Sequence, residues 1–340
     1  MDRNTKTSLI IITWNSLKYI TETLPALLNQ KYKDIEYIYV DNGSTDGTIK
    51  YIKEQIEKNK EKNIKLIENG KNLGISKAKN KGVKASTGKY ILILDDDMLI
   101  ENPNFVSNIV QYYKKLDNPA FLMPFFLDRE ELKDGYTRTY GTYYYPFGVK
   151  KKKPKIHFKD IMAYTDVIEI AIAQGGAMFI QKTVWDILGG FDESQMFNLD
   201  DDDISTRANI YGYKNYLYNK EYILHLGFAR RQEGKRYAWN ERTYYSGKAK
   251  SILKNFSILT NIYMGTLFAF KAFLEAIYHS IQLCYIGIFF SYIYSVYIFF
   301  KDFSDTLSKR AVIQSKRKIS DRYILKLVPP KYESNRVIFT

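Results

Sequence analysis

The sequence predicts an α/β fold with a mostly parallel central sheet flanked by helices. Three observations carry the prediction. Short, near-continuously apolar segments (SLIIIT, IEYIYV, IKLIE, YILIL) recur through the first hundred residues, and segments of helical spacing separate them. Continuous rather than alternating apolar strands belong to parallel sheets covered on both faces. The chain of 340 residues suffices for one large domain with appendages or for two ordinary domains, and its 45% hydrophobic and 26% charged content is that of a folded protein.

SLIIIT reads as the first strand, after which Leu17, Ile20, Leu24, Leu27 and Leu28 fall on one helical face. IEYIYV is the second strand and TDGTIKYIKEQIEKNK a helix with a polar face; IKLIE, SKAKNKGVKAS and YILIL continue as strand, helix and strand. From about 120 to 165 the chain is tyrosine-rich (GYTRTYGTYYYPFG) and without clear period, so loops or short strands are expected there. AMFI then suits a strand, KTVWDIL a short helix closed by Gly189 and Gly190, and DDDDISTRANIYG a helix whose acidic first turn complements its dipole.

After about residue 250 the character changes. Between Ala276 and Phe300 there is no Asp, Glu, Lys or Arg, a run long enough to span a bilayer and rich in aromatics suited to an interface. A single span would put the basic tail on the far side from the α/β domain, against the positive-inside tendency, so a hairpin or helices lying in one leaflet are expected. The alternative is a hydrophobic helix docked on the protein or on a partner subunit. The expected organisation is an α/β domain over 1–250 (halves 1–100 and 101–250), membrane-associating helices over 251–300 and a basic tail over 301–340.

One cysteine, Cys284, excludes an intramolecular disulfide and a cysteine-rich metal site and points to a reducing compartment. The N-terminal run MDRNTKTSLIIITWN is too short in apolar residues to be a secretory signal. The net charge of +14 suggests an anionic partner, with local clusters at 150–155, 230–236 and 309–318. No zinc-finger spacing or single-strand-binding motif accompanies the charge, so nucleic acid is not the expected partner.

In open α/β sheets, ligands bind beyond the carboxyl ends of the strands. That rule sets Trp14 and Asn15, Asp41 to Gly43, Glu68, and Asp95, Asp96 and Asp97 along one rim. Three adjacent carboxylates repel one another unless a cation sits among them. A hard divalent ion, Mg2+ or Mn2+, would take their oxygens and leave positions for a diphosphate. The alternative is a solvated acidic loop. Asp41, ending the second strand before a glycine turn, could accept a pyrimidine N–H or a ribose hydroxyl, or simply close an Asx turn and cap a helix. Trp14 offers a face for stacking a base, or a core aromatic.

Taken in order, the blocks SLIIITWNS, VDNGSTDGT, ENGKNLGISKAKNKGVKASTGKYILILDDD, GGAMFIQKTVWDILGGFDE, DDDDISTRA and GYK resemble the family 2 glycosyltransferases of GT-A fold, nearest to a rhamnosyltransferase-like branch. The resemblance covers roughly residues 7 to 250. It implies that Thr13, Trp14, Asn15, Asp41 and Asn72 line the nucleoside pocket, with Asp95 and Asp96 on the nucleotide side. It implies Asp97 as direct metal ligand, Asp95 nearer the ribose but within the metal motif, and His225 completing the metal shell; a satisfied structural histidine is the other reading. Gly175, Gly176 and Ala177 would line the sugar and acceptor pocket. Aligned on Arg207 and Ala208, Asp201 falls at the catalytic-base position and Asp203 at the following acidic one. Asp200 stands where the family has Glu and is the alternative base. The run from Gly189 to Glu193 is expected to be a structural turn.

The resemblance implies a nucleotide-diphospho-sugar donor, a divalent metal, proton abstraction by Asp201 and inversion at the anomeric carbon. Apolar helices beside basic residues make a lipid-linked glycan at the cytosolic face of the membrane the expected acceptor. Two rivals remain open from sequence: a polyprenyl-phosphate sugar synthase, and a non-catalytic nucleotide-sugar-binding subunit of a membrane assembly.

Overall fold

A computed structural model describes residues 5–137, 156–195, 199–227, 234–327, 331–333 and 336–338. Most of the tyrosine-rich segment, the 150–155 lysine run and most of the 230–236 basic cluster lie outside the described residues. The first half alternates as expected: β1 (Thr7–Thr13), α1 (Leu17–Leu28), β2 (Ile35–Asp41), α2 (Thr48–Lys58), β3 (Asn63–Glu68), α3 (Ile75–Ala85), β4 (Tyr90–Asp95) and the short β5 (Met98–Leu99). Next come α4 (Phe105–Tyr113), β6 (Pro119–Leu127), α5 (Arg129–Asp134), the short strands β7 (Tyr136–Thr137) and β8 (Ile156–His157), and α6 (Phe158–Tyr164). The second half continues with β9 (Val167–Ile170), β10 (Ala177–Gln181), α7 (Lys182–Leu188), α8 (Asp200–Ile210) and β11 (Lys214–His225). Five helices follow: α9 (Gly234–Asn255), α10 (Ile258–Gln282), α11 (Gly287–Lys301), α12 (Phe303–Ser315) and α13 (Asp321–Lys326).

The central sheet runs β3-β2-β1-β4-β10-β6-β11-β5, with β9 paired to β11. Its first four strands are parallel, as the continuous apolar pattern requires, and every residue of β1 and β2 is buried. β3 shows a half-exposed pattern because it is the edge. Beyond β4 the sheet is mixed: β10 is antiparallel to β4 and β6, while β6 and β11 are parallel.

The expectation of loops or short strands near 120 fails at β6, a nine-residue strand whose last eight residues are buried. Pro124, which lacks an N–H for the ladder, argues against a central strand on sequence alone. The partner strand absorbs it: the pairing jumps from Tyr218 opposite Pro124 to Tyr222 opposite Phe125. The displaced Asn219 donates its N–H to Asp166 O instead, at 2.8 Å.

The chain beyond residue 250 packs on the same core. Ile252, Phe256, Met264, Ile313 and Ile324 belong to the same core as the sheet. The N–H groups of Lys318 and Ile319 donate to Ile210 O at 2.8 and 3.1 Å, and Lys309 pairs with Asp192 at 2.7 Å. The C-terminal helices therefore complete the α/β unit rather than trail from it. Among the described residues no helix is long and apolar enough to cross a membrane.

At the amino ends of the strands, fully buried Glu36 accepts hydrogen bonds from Ser8 Oγ at 2.6 Å and from the Thr87 and Gly88 N–H groups, with Lys65 at 3.2 Å. Burial alone would raise its pKa, but these donors outweigh it and hold the carboxyl near 2, down from 4.5. Folding stability is therefore fully present above 4.5 and lost as pH falls through about 2. Glu36→Gln should cost roughly 3 kcal/mol at neutral pH. In chemical denaturation, the gap between the two proteins should narrow as pH falls through that window.

Candidate active site

Because β1, β2 and β4 are parallel and in register, Thr13 stands opposite Asp41, and Ile12 opposite Asp95. Their carboxyl ends form one rim. Asp41 is fully buried. Its Oδ1 accepts the N–H groups of Gly43 and Ser44, both at 2.9 Å, and its Oδ2 accepts the Thr13 hydroxyl at 3.1 Å. The structure thus gives Asp41 and Thr13 the turn-building role and not the exposed, base-accepting one. Asn42 fastens that turn to the following loop, accepting from Leu73 N–H at 3.0 Å and donating to Asn72 Oδ1 at 3.0 Å. Asn72 itself is exposed on the rim.

Trp14 is 52% exposed, so the core-aromatic alternative fails and its ring lies open at the strand tip. Asn15 adopts a positive φ of 52° and is tied by its Oδ1 to Thr45 N–H at 2.8 Å and by its own N–H to Ser44 Oγ at 2.8 Å. Asp96 turns back to this loop: it accepts the Trp14 N–H at 3.2 Å and the Ser16 hydroxyl. Burial, together with the charges of Asp97 and Asp95, pushes the Asp96 carboxyl up to about 7, although the Ser16 bond opposes the rise. Asp96 supports the tryptophan loop rather than facing a nucleotide.

Asp97 pairs with His225, Oδ2 to Nε2 at 3.2 Å. Strand pairing causes this, since His225 ends β11 directly opposite Met98 of β5 and Leu226 N–H donates to Asp97 O at 2.9 Å. A Cβ on Gly227 would fall 2.0 Å from Asp97 Oδ2, so a larger residue here would push the Asp97 carboxylate out of this position. Burial disfavours the charged imidazole, but the bond to Asp97 and the charges of Asp97, Asp95 and Asp128 outweigh it and raise the His225 pKa. Asp95 Oδ1 is buried without a hydrogen-bond partner. Burial drives its carboxyl up to about 6, and the Asp97 and Asp200 charges add to this against Lys79.

An orphaned carboxylate oxygen beside an Asp–His pair is a donor set of the right chemistry for a hard divalent cation. Among the described residues, however, no three His, Cys, Asp or Glu side chains converge on one point. Of the expected set, Asp97 and His225 touch each other, and Asp95 presents its unpartnered Oδ1 as a separate oxygen.

The second acidic block starts α8, and the loop before β10 joins it to the first. Gly175 N–H donates to Asp201 Oδ2 at 2.8 Å, while Asp95 N–H donates to Gly176 O at 3.0 Å. Ala177 is fully buried in β10 opposite Leu94, so its side chain lines no pocket. Lys79, 2% exposed, reaches from α3 to Asp200 Oδ2 at 3.0 Å and to Gly175 O at 3.3 Å. Burial opposes its charge, but Asp200, Asp95 and Asp201 raise its pKa, so it is a permanent cation in the cluster.

Asp200 is therefore salt-bridged, and Asp201 is the partly exposed member of the block. Burial, with the charges of Asp200 and Asp202, pushes Asp201 up to about 7, against Lys79 and the Gly175 N–H. Asp203 does not reach the pocket. It is fully buried, bound to Arg207, to Lys254 at 3.0 Å and to Asn255 Nδ2 at 2.8 Å. The Gly189–Glu193 turn is structural as expected: Asn80 exchanges hydrogen bonds with Phe191 N–H and O, both at 3.0 Å.

Sequence reading missed Lys79 and Gly227. Lys79 had a legible signal, since it lies with Ser76, Gly82 and Val83 on the buried face of α3, where a lysine needs a partner. Lys79→Met should cost roughly 3–5 kcal/mol by leaving Asp95, Asp200 and Asp201 uncompensated. The loss, read by chemical denaturation, should shrink as the pH is lowered and those carboxyls protonate; an equal loss at every pH would contradict the charge argument.

Comparison with known proteins gives a consistent result. The family model described as glycosyl transferase family 2 matches residues 8–187. An uncharacterized glycosyltransferase of Haemophilus influenzae is 37% identical over 111 residues, covering 33% of this chain and 33% of that protein. Glycosyltransferase GlyG of Streptococcus pneumoniae is 28% identical over 110 residues, covering 32% of the chain and 36% of the relative. The matches thus span about a third of these relatives' length. Among solved structures, the mannosyltransferase PcManGT of Pyrobaculum calidifontis, in complex with GDP-Man and Mn2+, superposes with TM-score 0.53 at 16% identity, covering 92% of this chain and 80% of that one. GalNAc-T7 with UDP, GalNAc and Mn2+ gives TM-score 0.54 at 14% identity, covering 83% and 58%. The fold is that of the GT-A glycosyltransferases, and the chain, matched over more than half its length, belongs to glycosyl transferase family 2.

Proposed function

We propose that the protein is a metal-dependent, inverting glycosyltransferase that moves a sugar from a nucleotide-diphospho-sugar to a hydroxyl of a glycan acceptor. We further propose that this acceptor is lipid-linked and met at the cytosolic face of the membrane. One observation carries the reading: two adjacent residues, Gly175 and Gly176, hydrogen-bond to Asp201 and to Asp95. The strand-tip carboxylates and a separate carboxylate of raised pKa thereby border one site. Complexes with GDP-Man and with UDP, each with Mn2+, among the similar folds support the donor class and the metal.

Asp97 and His225 would hold the cation, which supplies Lewis-acid stabilisation of the departing diphosphate. The open Trp14 ring offers a stacking face for the base, and the Asp41 turn fixes the loop beside it. Asp201 takes the proton of the attacking hydroxyl; a carboxylate raised to about 7 is a far better base at neutral pH than an ordinary one. Lys79 anchors Asp200, so the base is flanked by a fixed ion pair. With one base and no second carboxylate needed as nucleophile, in-line attack inverts the anomeric centre.

Asp201→Asn should lower transfer roughly 10^2–10^4-fold while Mn2+-dependent thermal stabilisation by UDP or GDP is retained. Undiminished transfer would instead favour a lipid-phosphate acceptor, which needs no base. Because the base acts deprotonated, wild-type turnover should fall as pH drops below about 7. Asp97→Asn should abolish the Mn2+-dependent part of the melting shift with UDP and GDP. Failure of both nucleotides to shift the wild-type melt with Mn2+ would sink the donor assignment.

A further inference from the structure

Among the described residues the largest uncovered apolar surface is carried by α10 and α11. Leu259 (81%), Ile281 (72%), Ile286, Phe290, Tyr297 and Phe300 all stand exposed on it. The inner sides of the same helices are already used. Ala272, Ala276 and Ser280 of α10 and Ile288 and Ser295 of α11 are buried, and Tyr245 of α9 packs edge-on to Tyr292 with ring centroids 5.7 Å apart. The hairpin is therefore docked by one face and apolar on the other, which is not the pattern of an ordinary surface helix.

A bilayer leaflet fits this face better than a second copy of the chain. Lys301 at the end of α11, Lys316 and Lys318 in the link after α12, and Arg322 and Lys326 of α13 are exposed, and such cations suit anionic headgroups. Two copies, each at +14, would repel on approach. Tyr278, Tyr294 and Tyr297 are exposed amid the aliphatic residues, and tyrosine is at home where one end is apolar and the other wet. Among the described residues neither helix is both long and apolar enough to cross. With 15 residues, α11 reaches roughly 22 Å against the ~30 Å of a hydrocarbon core. α10 carries the Lys271–Glu275 ion pair, at 3.3 Å, in its second half.

We infer that the α10–α11 hairpin lies in the plane of one leaflet of an anionic bilayer, with its exposed aliphatic and aromatic face among acyl chains and the basic residues of α11 to α13 at the headgroups. The surface stands independently of the reaction proposed above. It bears on that reaction through α9, which carries Tyr245 under the hairpin and Lys248, paired at 2.6 Å with Asp202 beside the proposed base. A lipid-linked acceptor would then reach the site along the surface that holds the enzyme.

The test is flotation of the full chain with vesicles of phosphatidylcholine, with and without phosphatidylglycerol. The wild type should float with the anionic vesicles, less so as salt is raised. A variant carrying Ile281→Asp, Phe290→Asp and Tyr297→Asp, all outside the core, should keep its melting temperature and float at least about tenfold less. Two outcomes would overturn the inference. One is a wild type that stays at the bottom of the gradient with both vesicles; the other is a dimer in light scattering that the same three substitutions dissolve. Nucleotide-dependent melting of the triple variant separates the two ideas, since it should be unchanged even if the leaflet assignment fails.

Discussion

Lys79 is the charge on which the site depends. A protein that gathers Asp95, Asp200 and Asp201 around one lysine must offset their repulsion, and burial makes the repulsion stronger. The ammonium of Lys79, 3.0 Å from Asp200 and 3.3 Å from Gly175 O, supplies the offset from the back of the cluster. It neutralises only part of the charge. Asp95 and Asp201 are left with raised pKa values near 6 and 7, one carboxyl short of a partner and the other ready to take a proton. The cluster is thereby folded but unsatisfied, which suits the cation binding and proton transfer proposed above.

A second, fully compensated network holds the first in place. Asp203, two residues on from Asp201, is closed by Arg207, Lys254 and Asn255, and Lys254 also binds Asp192, which Lys309 of α12 reaches at 2.7 Å. Buried ion pairs of this kind add little net stability, but breaking one partner is costly, so they fix orientation. The partners lie on α8, α9, α12 and the turn after α7. The aim of α8, and of Asp201 at its start, is thus set by helices that lie far along the chain.

Much of this was readable from residues alone. The parallel half of the sheet followed from apolar runs broken by helical spacing, and the observed burial of β1, β2 and β4 matches those runs. The three carboxylates at the end of β4 were conspicuous because no strand needs them for stability. β6 was not readable, because Pro124 speaks against a central strand and only the irregular pairing of β11 accommodates it. Asp203 looked like a pocket residue by position, but its side chain is fully buried against Arg207, Lys254 and Asn255.

What the sequence determined is the set of parts: which segments are strands, where they end, and that carboxylates crowd two of those ends. Period and composition carry that information locally, within a few residues of each other. What only the tertiary structure decided is which parts meet. Asp97 touches His225 because β5 pairs antiparallel with β11, a contact between residues 128 positions apart in the chain. Asp201 and Asp95 share a border because the Gly175–Gly176 segment bonds to both, and Asp41 turns inward because two amides of its own turn claim it. Such choices follow from long-range pairing and from competition for hydrogen bonds, and neither leaves a periodic trace in the order of the residues.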